Sequence, residues 1–368
     1  MSIAPPRVRA AAAPPAARRP QGSPATRDAG IDLLRAALIP VVVALHAMMV
    51  GIGHGPDGPL LGNATDGQAW FAPVTWVVQI MPLFFLIGGY ASITHWRKLR
   101  GRGATPADYI AARARRLLGP GLLAIGGVTL GLAALTAAGV APDIVATAGF
   151  RISQPLWFLA VYLGCSALVP LTVRWHEARP GLSLAALAVA AVVIDALRFG
   201  TGIEAIGIIN LVPVWLTIQQ LGYWLADGRF DRIRTRNRAL LAAAGLGATL
   251  LLVSTGPYSA DLLVNLNPPT VVLITFGVAQ LFLFTLFRPA LGRWAARPLV
   301  ARITGTLAPR AMTIYLWHMP AIIALSGALL LSGIELPQPL SVDWWLSRPA
   351  WLVLVGVAVA ITVRLVGT

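Results

Sequence analysis

Apolar windows of about twenty residues recur along the chain, at 31–50, 70–94, 117–138, 156–173, 182–199, 205–226, 239–255, 269–287, 311–331 and 345–366. An α-helix needs about 20 apolar residues to cross a bilayer, and only structures that satisfy their own backbone groups can do so. The pattern therefore predicts an all-α integral membrane protein of about ten transmembrane helices. The windows at 182–199 and 239–255 are near the short limit. Pro82, Pro170, Pro213 and Pro320 fall in or at the ends of windows, where neighbouring helices tolerate them as kinks. Residues 1–30 are rich in Ala, Pro and Arg without apolar periodicity, which predicts a disordered tail ahead of one transmembrane domain over 31–368. A cleaved signal peptide is the competing reading. It is disfavoured because the apolar run that follows is long and has no small-residue cleavage pattern at its end.

Composition agrees: 57% of the 368 residues are hydrophobic and 12% charged, with mean hydropathy +0.73, whereas a soluble domain is about a quarter charged. The net charge of +15 would suggest nucleic-acid binding in a soluble protein. Here no soluble basic module exists to carry it, and the partner is the lipid bilayer. With the N-terminus inside, the inner segments hold 5, 7, 2, 5, 5 and 1 Lys or Arg residues, and the outer loops hold only Arg151, Arg198 and Arg348. That alternation predicts both termini cytoplasmic in a multi-pass plasma-membrane protein. Arg supplies 28 of the 29 basic residues, which fits a GC-rich bacterial genome. The single cysteine, Cys165, permits no internal disulfide, and neither an HExxH motif nor clustered carboxylates predict a metal site.

Against this background the first window is anomalous, because it carries Asp32, Arg35 and His46. Ionisable groups within a span are costly and point to function. Arg35 and His46 are eleven residues apart, three helical turns, which sets them on one face about 16 Å apart along the axis. The inner segment 95–116 holds seven basic residues, a number that topology alone explains. Its second half is more specific. Thr105 and Pro106 signal a helix start, and Arg113 and Arg116 then fall at i and i+3, suited to a polyphosphate. Of five histidines, His54, His95 and His176 are expected to be solvated, while His46 and His318 lie within spans. Tyr315 is on the His318 face, and a helix-to-helix hydrogen bond is the plain reading for that histidine. Gly88 and Gly89 suit close helix packing. Asp195 and Arg198 form an i, i+3 pair that either neutralises itself at the interface or lines a polar mouth for an acceptor.

Taken together, these segments resemble the membrane-bound acyltransferase family 3, whose members O-acylate sugars, cell-wall polymers and natural products. The resemblance rests on "IDLLRAALIPVVVALHA" with Arg35 and His46, "MPLFFLIGGYAS", and "RARRLLGPGLL" with Arg113 and Arg116. It also rests on "QPLWFLAVYL" with Leu156, Trp157, Phe158 and Leu159, and on "YLWHMP" with Tyr315, Leu316, His318 and Pro320. The order covers about residues 30–366; the family's usual Ser-Gly is Gly88-Gly89 here. The resemblance implies an acyl-coenzyme A donor, with acetyl the expected group, entering from the cytoplasm and held by Arg35, Arg113 and Arg116. It implies His46 acting with Arg35 at the thioester, as base or covalent relay. The acceptor is a hydroxyl of a carbohydrate, glycolipid or secondary metabolite, with Asp195, Arg198, Tyr315, His318 and Trp157 as acceptor-side candidates. A permease and a non-catalytic relative are the alternatives. The permease is disfavoured by the absence of internal repeats and by charges gathered in one span.

Overall fold

The computed structural model describes residues 28–55, 58–332 and 334–367; of the tail expected over 1–30, residues 1–27 lie outside the described residues, and Ala29 and Gly30 already belong to the first helix. The chain opens with α1 (Ala29–Met49), a hairpin of β1 (Val50–Gly55) and β2 (Gly58–Asn63), then α2 (Phe71–Val78), α3 (Met81–Arg100), α4 (Pro106–Ala137) and α5 (Pro142–Ser153). It continues with α6 (Leu156–Ala167), α7 (Val169–Ala178), α8 (Pro180–Thr201) and a 3₁₀ segment (Glu204–Leu211). The remainder is α9 (Pro213–Ala226), α10 (Thr235–Thr255), α11 (Val271–Ala295), α12 (Pro298–Leu331) and α13 (Val342–Val366). Among the described residues, ten helical stretches are long and apolar enough to cross a membrane. The protein is an all-α integral membrane protein. The bundle has a basic face, where α1 begins and α3 ends, and a hairpin face, where α1 ends.

Three departures from the apolar pattern have local causes. The window 70–94 is two helices, because α2 stops at Gln79 and Pro82 starts the next. Proline has no N–H to continue a helix and disfavours helical backbone in the residue before it. At this depth the broken backbone must be satisfied by protein. The buried Gln79 does so: its Oε1 accepts from Met81 N, its Nε2 donates to Leu262 O, and Gln280 donates to the Gln79 carbonyl. Residues 142–153, expected in an outer loop, form α5, with Pro142 in the first turn where a missing N–H is harmless. The third departure is the antiparallel hairpin, which pairs Val50 with Asn63 and runs to Gly55 opposite Gly58. Its strands are too glycine-rich to show an alternating pattern.

Helix α1 lies near the centre of the site, packed chiefly against α12 and α11. Its start is fixed by Asp28, whose Oδ1 caps Ile31 N at 3.1 Å while Oδ2 accepts from Arg288 Nε of α11 at 2.8 Å. Helices α3 and α9 cross at a pair of glycines. A Cβ on Gly89 would collide with the Gln219 carbonyl, and one on Gly222 with the Leu86 carbonyl. Close approach of this kind is how membrane helices gain packing without a hydrophobic driving force.

On the basic face, Arg97 bonds Glu177 at 2.9 Å and Asp227 at 2.5 Å, Arg100 bonds Glu177 at 2.8 Å, and His176 bonds Asp227 at 2.8 Å. These contacts latch α3 to α7 and to the end of α9. Hydrogen bonds from Arg100 hold the Glu177 carboxyl below the usual carboxylate range, against the cost of partial burial, with help from Arg97. His176 is buried, not solvated as expected, because Asp227 and Gln220 supply both ring nitrogens with partners.

Candidate active site

Two groups of residues define the site, one on the basic face and one within the bundle. The first is a cleft of about 200 Å³ lined by Arg35 and Leu38 of α1, Phe84, Ile87, Gly88, Ala91 and His95 of α3, Arg113 and Arg116 of α4, and Tyr162 of α6. Local sequence sets this arrangement. Thr105 accepts from Asp108 N at 3.2 Å and Asp108 accepts from Thr105 N at 2.8 Å, a capping box that fixes where α4 starts. Two turns later Arg113 and Arg116 reach one face, as their spacing predicts. Opposite them, Arg35 projects from the second turn of α1. Gly88 leaves room for the Tyr162 ring, which a Cβ would approach to 3.2 Å.

The cleft is electrostatically incomplete. Its lining contains three guanidiniums and no carboxylate. Arg113 has only neutral partners, Tyr109 Oη and Ser92 Oγ, both at 3.3 Å, and its guanidinium lies 5.6 Å from the Tyr109 ring centroid. Among the described residues none of Arg35, Arg113 and Arg116 has a salt-bridge partner. Converging cations without counterions repel one another and favour a bound anion. The arrangement suits a ligand with several phosphate oxygens, since guanidinium binds these bidentately.

The second group is a pair of imidazoles. His46 Nδ1 lies 2.8 Å from His318 Nε2, with ring centroids 5.0 Å apart and planes 22° from parallel. His318 Nδ1 in turn lies 2.7 Å from the Tyr315 carbonyl. A carbonyl only accepts, so His318 Nδ1 carries a hydrogen. With both rings neutral, His318 Nε2 is the acceptor, His46 Nδ1–H the donor, and His46 Nε2 is left with a free lone pair. His318 has no accessible surface, whereas His46 is partly accessible. Pro320 has no N–H for the Leu316 carbonyl, which interrupts the α12 ladder where the His318 ring folds back.

Aromatic side chains connect the two groups. Tyr162 on the cleft wall stacks on Phe158 at 5.6 Å, Phe158 meets the Tyr315 ring at 5.4 Å, and Tyr315 lies 6.2 Å from His318. Tyr315 donates its hydroxyl to the Pro155 carbonyl, holding α12 against the start of α6. Trp157 faces the other way, toward Trp215 at 6.3 Å.

Asp195 and Arg198 are not brought to this site, nor do they pair with each other. Asp195 is buried and accepts from Asn210 Nδ2 at 2.7 Å, Val271 N at 2.8 Å and Tyr258 Oη at 3.2 Å. Arg198 forks onto Glu204, with Nε at 2.9 Å. The i, i+3 spacing suggested a pair, but Asp195 turns inward to bind the start of α11. Sequence reasoning missed Tyr162 and His95 as cleft residues. The aromatic segment around Tyr162 was legible, but not which wall it forms.

The architecture and the two linked groups define a ten-span membrane protein with an arginine-lined cleft joined by aromatic rings to an internal histidine pair. A family model described as an acyltransferase domain matches residues 28–366, and the chain belongs to acyltransferase family 3. Comparisons with curated proteins and with solved structures find no match.

Proposed function

We propose that this protein is a membrane O-acyltransferase that moves an acetyl or other short acyl group from acyl-coenzyme A to a hydroxyl of a carbohydrate, glycolipid or secondary metabolite. The observation that carries the reading is the convergence of Arg35, Arg113 and Arg116, without a carboxylate, on a cleft joined by aromatic rings to the His46–His318 pair. In this reading the basic face is cytoplasmic, as the excess of Arg there favours, and the membrane is the plasma membrane. The donor's phosphates sit among the three guanidiniums. Its long thin arm follows the Tyr162–Phe158–Tyr315 wall and brings the thioester to His46.

His46 Nε2 takes the proton of the acceptor hydroxyl as its oxygen attacks the thioester carbonyl. The C–S bond breaks and the coenzyme A sulfur receives that proton from the imidazolium. His318 acts by orientation. Its fixed hydrogen on Nδ1 forces the His46 tautomer that presents a lone pair, and its Nε2 shares the charge when His46 is protonated. Arg35, on the helix that carries His46, is part of the phosphate site and serves the donor.

The test is thiol release from acetyl-coenzyme A by purified protein with a panel of hydroxyl acceptors, for wild type and His46→Ala. A general base contributes about 10²–10⁴-fold, so His46→Ala falls by that factor while still binding coenzyme A. Wild-type turnover in His46→Ala contradicts the catalytic role. An acyl group trapped on His46 after acid quench replaces the base by a covalent relay.

A further inference from the structure

On the hairpin face, beyond His46, a second pocket of about 30 Å³, a fraction of the size of the first cleft, is lined by Val50, Ile52, Leu336, Trp344, Arg348 and Trp351. Arg348 stands 4.2 Å from the Trp344 ring centroid and 5.5 Å from that of Trp351, a cation–π contact with each indole. Its Nε donates to the Trp344 carbonyl at 3.0 Å and its Nη2 to Ser347 Oγ at 3.1 Å. A guanidinium has five N–H groups, so most of its donors are unspent, and among the described residues Arg348 has no salt-bridge partner. Arg198, on the same side of the sequence topology, has Glu204; Arg348 has no equivalent.

Two further observations tie this cation to the reaction centre. The Trp351 indole donates to the Ala47 carbonyl at 2.8 Å, on the residue next to His46. Arg151 of α5 has a buried Nε without a partner. It lies between Ala148 and Ile152, which belong to the same apolar cluster as Ala47, Val50, Ile52 and Trp351. Among the described residues, neither Arg348 nor Arg151 on the hairpin side has a salt-bridge partner, as none of the three cleft arginines has on the basic side.

We infer that Arg348, supported by Trp344 and Trp351 and with Arg151 as second cation, is an acceptor subsite that binds an anionic group, a carboxylate or a phosphate, on the molecule whose hydroxyl is acylated. The inference rests on the acyl-transfer reading and narrows it, from any hydroxyl acceptor to an acidic one. The arginine cleft on the basic face then takes the donor's anion, and Arg348, linked through Trp351 to the residue after His46, takes the acceptor's.

The experiment uses full-length protein in detergent with three probes: methyl glucuronide, glucose 1-phosphate and neutral methyl glucoside. Binding is read by saturation-transfer NMR and acyl transfer by mass spectrometry. A charge-assisted contact predicts that wild type favours at least one anionic probe over the neutral one by about tenfold. Preference for the glucuronide assigns a carboxylate, and preference for the phosphate ester a phosphate. Arg348→Gln brings the anionic probe down to the neutral level, and Arg348→Lys restores part of the preference. If Arg348→Gln fails to fold, loss of the wild-type preference at high salt takes its place as the expected result. Equal handling of charged and neutral probes by wild type overturns the subsite while leaving acyl transfer standing. Arg348-dependent binding of an anionic probe with no acyl transfer to any acceptor supports the subsite and overturns the transferase reading. A preference that survives in both Arg348→Gln and Arg151→Gln overturns the assignment.

Discussion

The Asp195 cluster lies buried within the bundle, the Arg35–Arg113–Arg116 cleft opens on its basic face, and the two are built in opposite ways. Asp195 is surrounded by donors: Asn210, Tyr258 and the Val271 amide together occupy both carboxylate oxygens. It ties α8, the 3₁₀ segment and α11 together, and both its oxygens are spent in doing so. Among the described residues Arg113 has only neutral partners, Arg35 and Arg116 have no salt-bridge partner, and the lining offers no negative charge. A buried polar group that its neighbours satisfy fully is part of the scaffold, whereas convergent charge left unsatisfied is a place prepared for a ligand. The histidine pair stands between these extremes. Each ring has a partner, yet the chain of hydrogen bonds ends on a lone pair at His46 Nε2.

Substitutions separate the two regions. The largest expected effect is on the unsatisfied side, where His46→Ala removes about 10²–10⁴-fold of turnover; His318→Ala, which frees the His46 tautomer, falls less in kcat and leaves the KM for acyl-coenzyme A unchanged. Steady-state kinetics of the two variants check both. Next is Arg113→Ala, which loses a charge-assisted contact of about 1.5–3 kcal/mol, so KM for acyl-coenzyme A rises roughly tenfold or more. An acyl-pantetheine donor without the nucleotide phosphates shows no such rise. Asp195→Ala moves stability instead: the buried Asn210 amide and the part-buried Val271 N and Tyr258 Oη lose this acceptor, on the order of 3 kcal/mol, and the apparent melting temperature in detergent drops while KM for the donor stays within error. A large KM change there would erase the distinction between the regions.

The smallest effect belongs to the basic-face latch. Glu177 has a folded-state value below the usual carboxylate range, so its stabilisation is present above the unfolded value and is lost as pH falls through the folded one. Melting curves recorded from neutral to acid pH decline less steeply for Glu177→Gln than for wild type. Identical slopes would remove the latch from the account.

Much of this was legible in the sequence because each part follows a local rule. Ten apolar windows give ten crossings, Thr105 and Asp108 cap a helix, and the spacing of Arg113 and Arg116 puts them on one face. What was not legible depends on packing between distant segments. The partner of His46 is 272 residues away, and nothing in the first helix indicates which of the other polar helices meets it. Asp195 and Arg198 misled for the same reason. Their spacing allowed a pair, but Asn210, Tyr258 and Val271 compete for Asp195 from sequence-distant positions. The broken helix at Gln79 required the Leu262 carbonyl and Gln280 to complete it, which an apolar window cannot record.

Whether unsatisfied charge marks the donor site is decided by equilibrium binding of desulfo-coenzyme A to wild type, Arg113→Ala and Asp195→Ala. The account predicts a Kd about tenfold or more weaker in Arg113→Ala and a wild-type Kd in the folded fraction of Asp195→Ala. A wild-type Kd in Arg113→Ala, or loss of binding confined to Asp195→Ala, contradicts it.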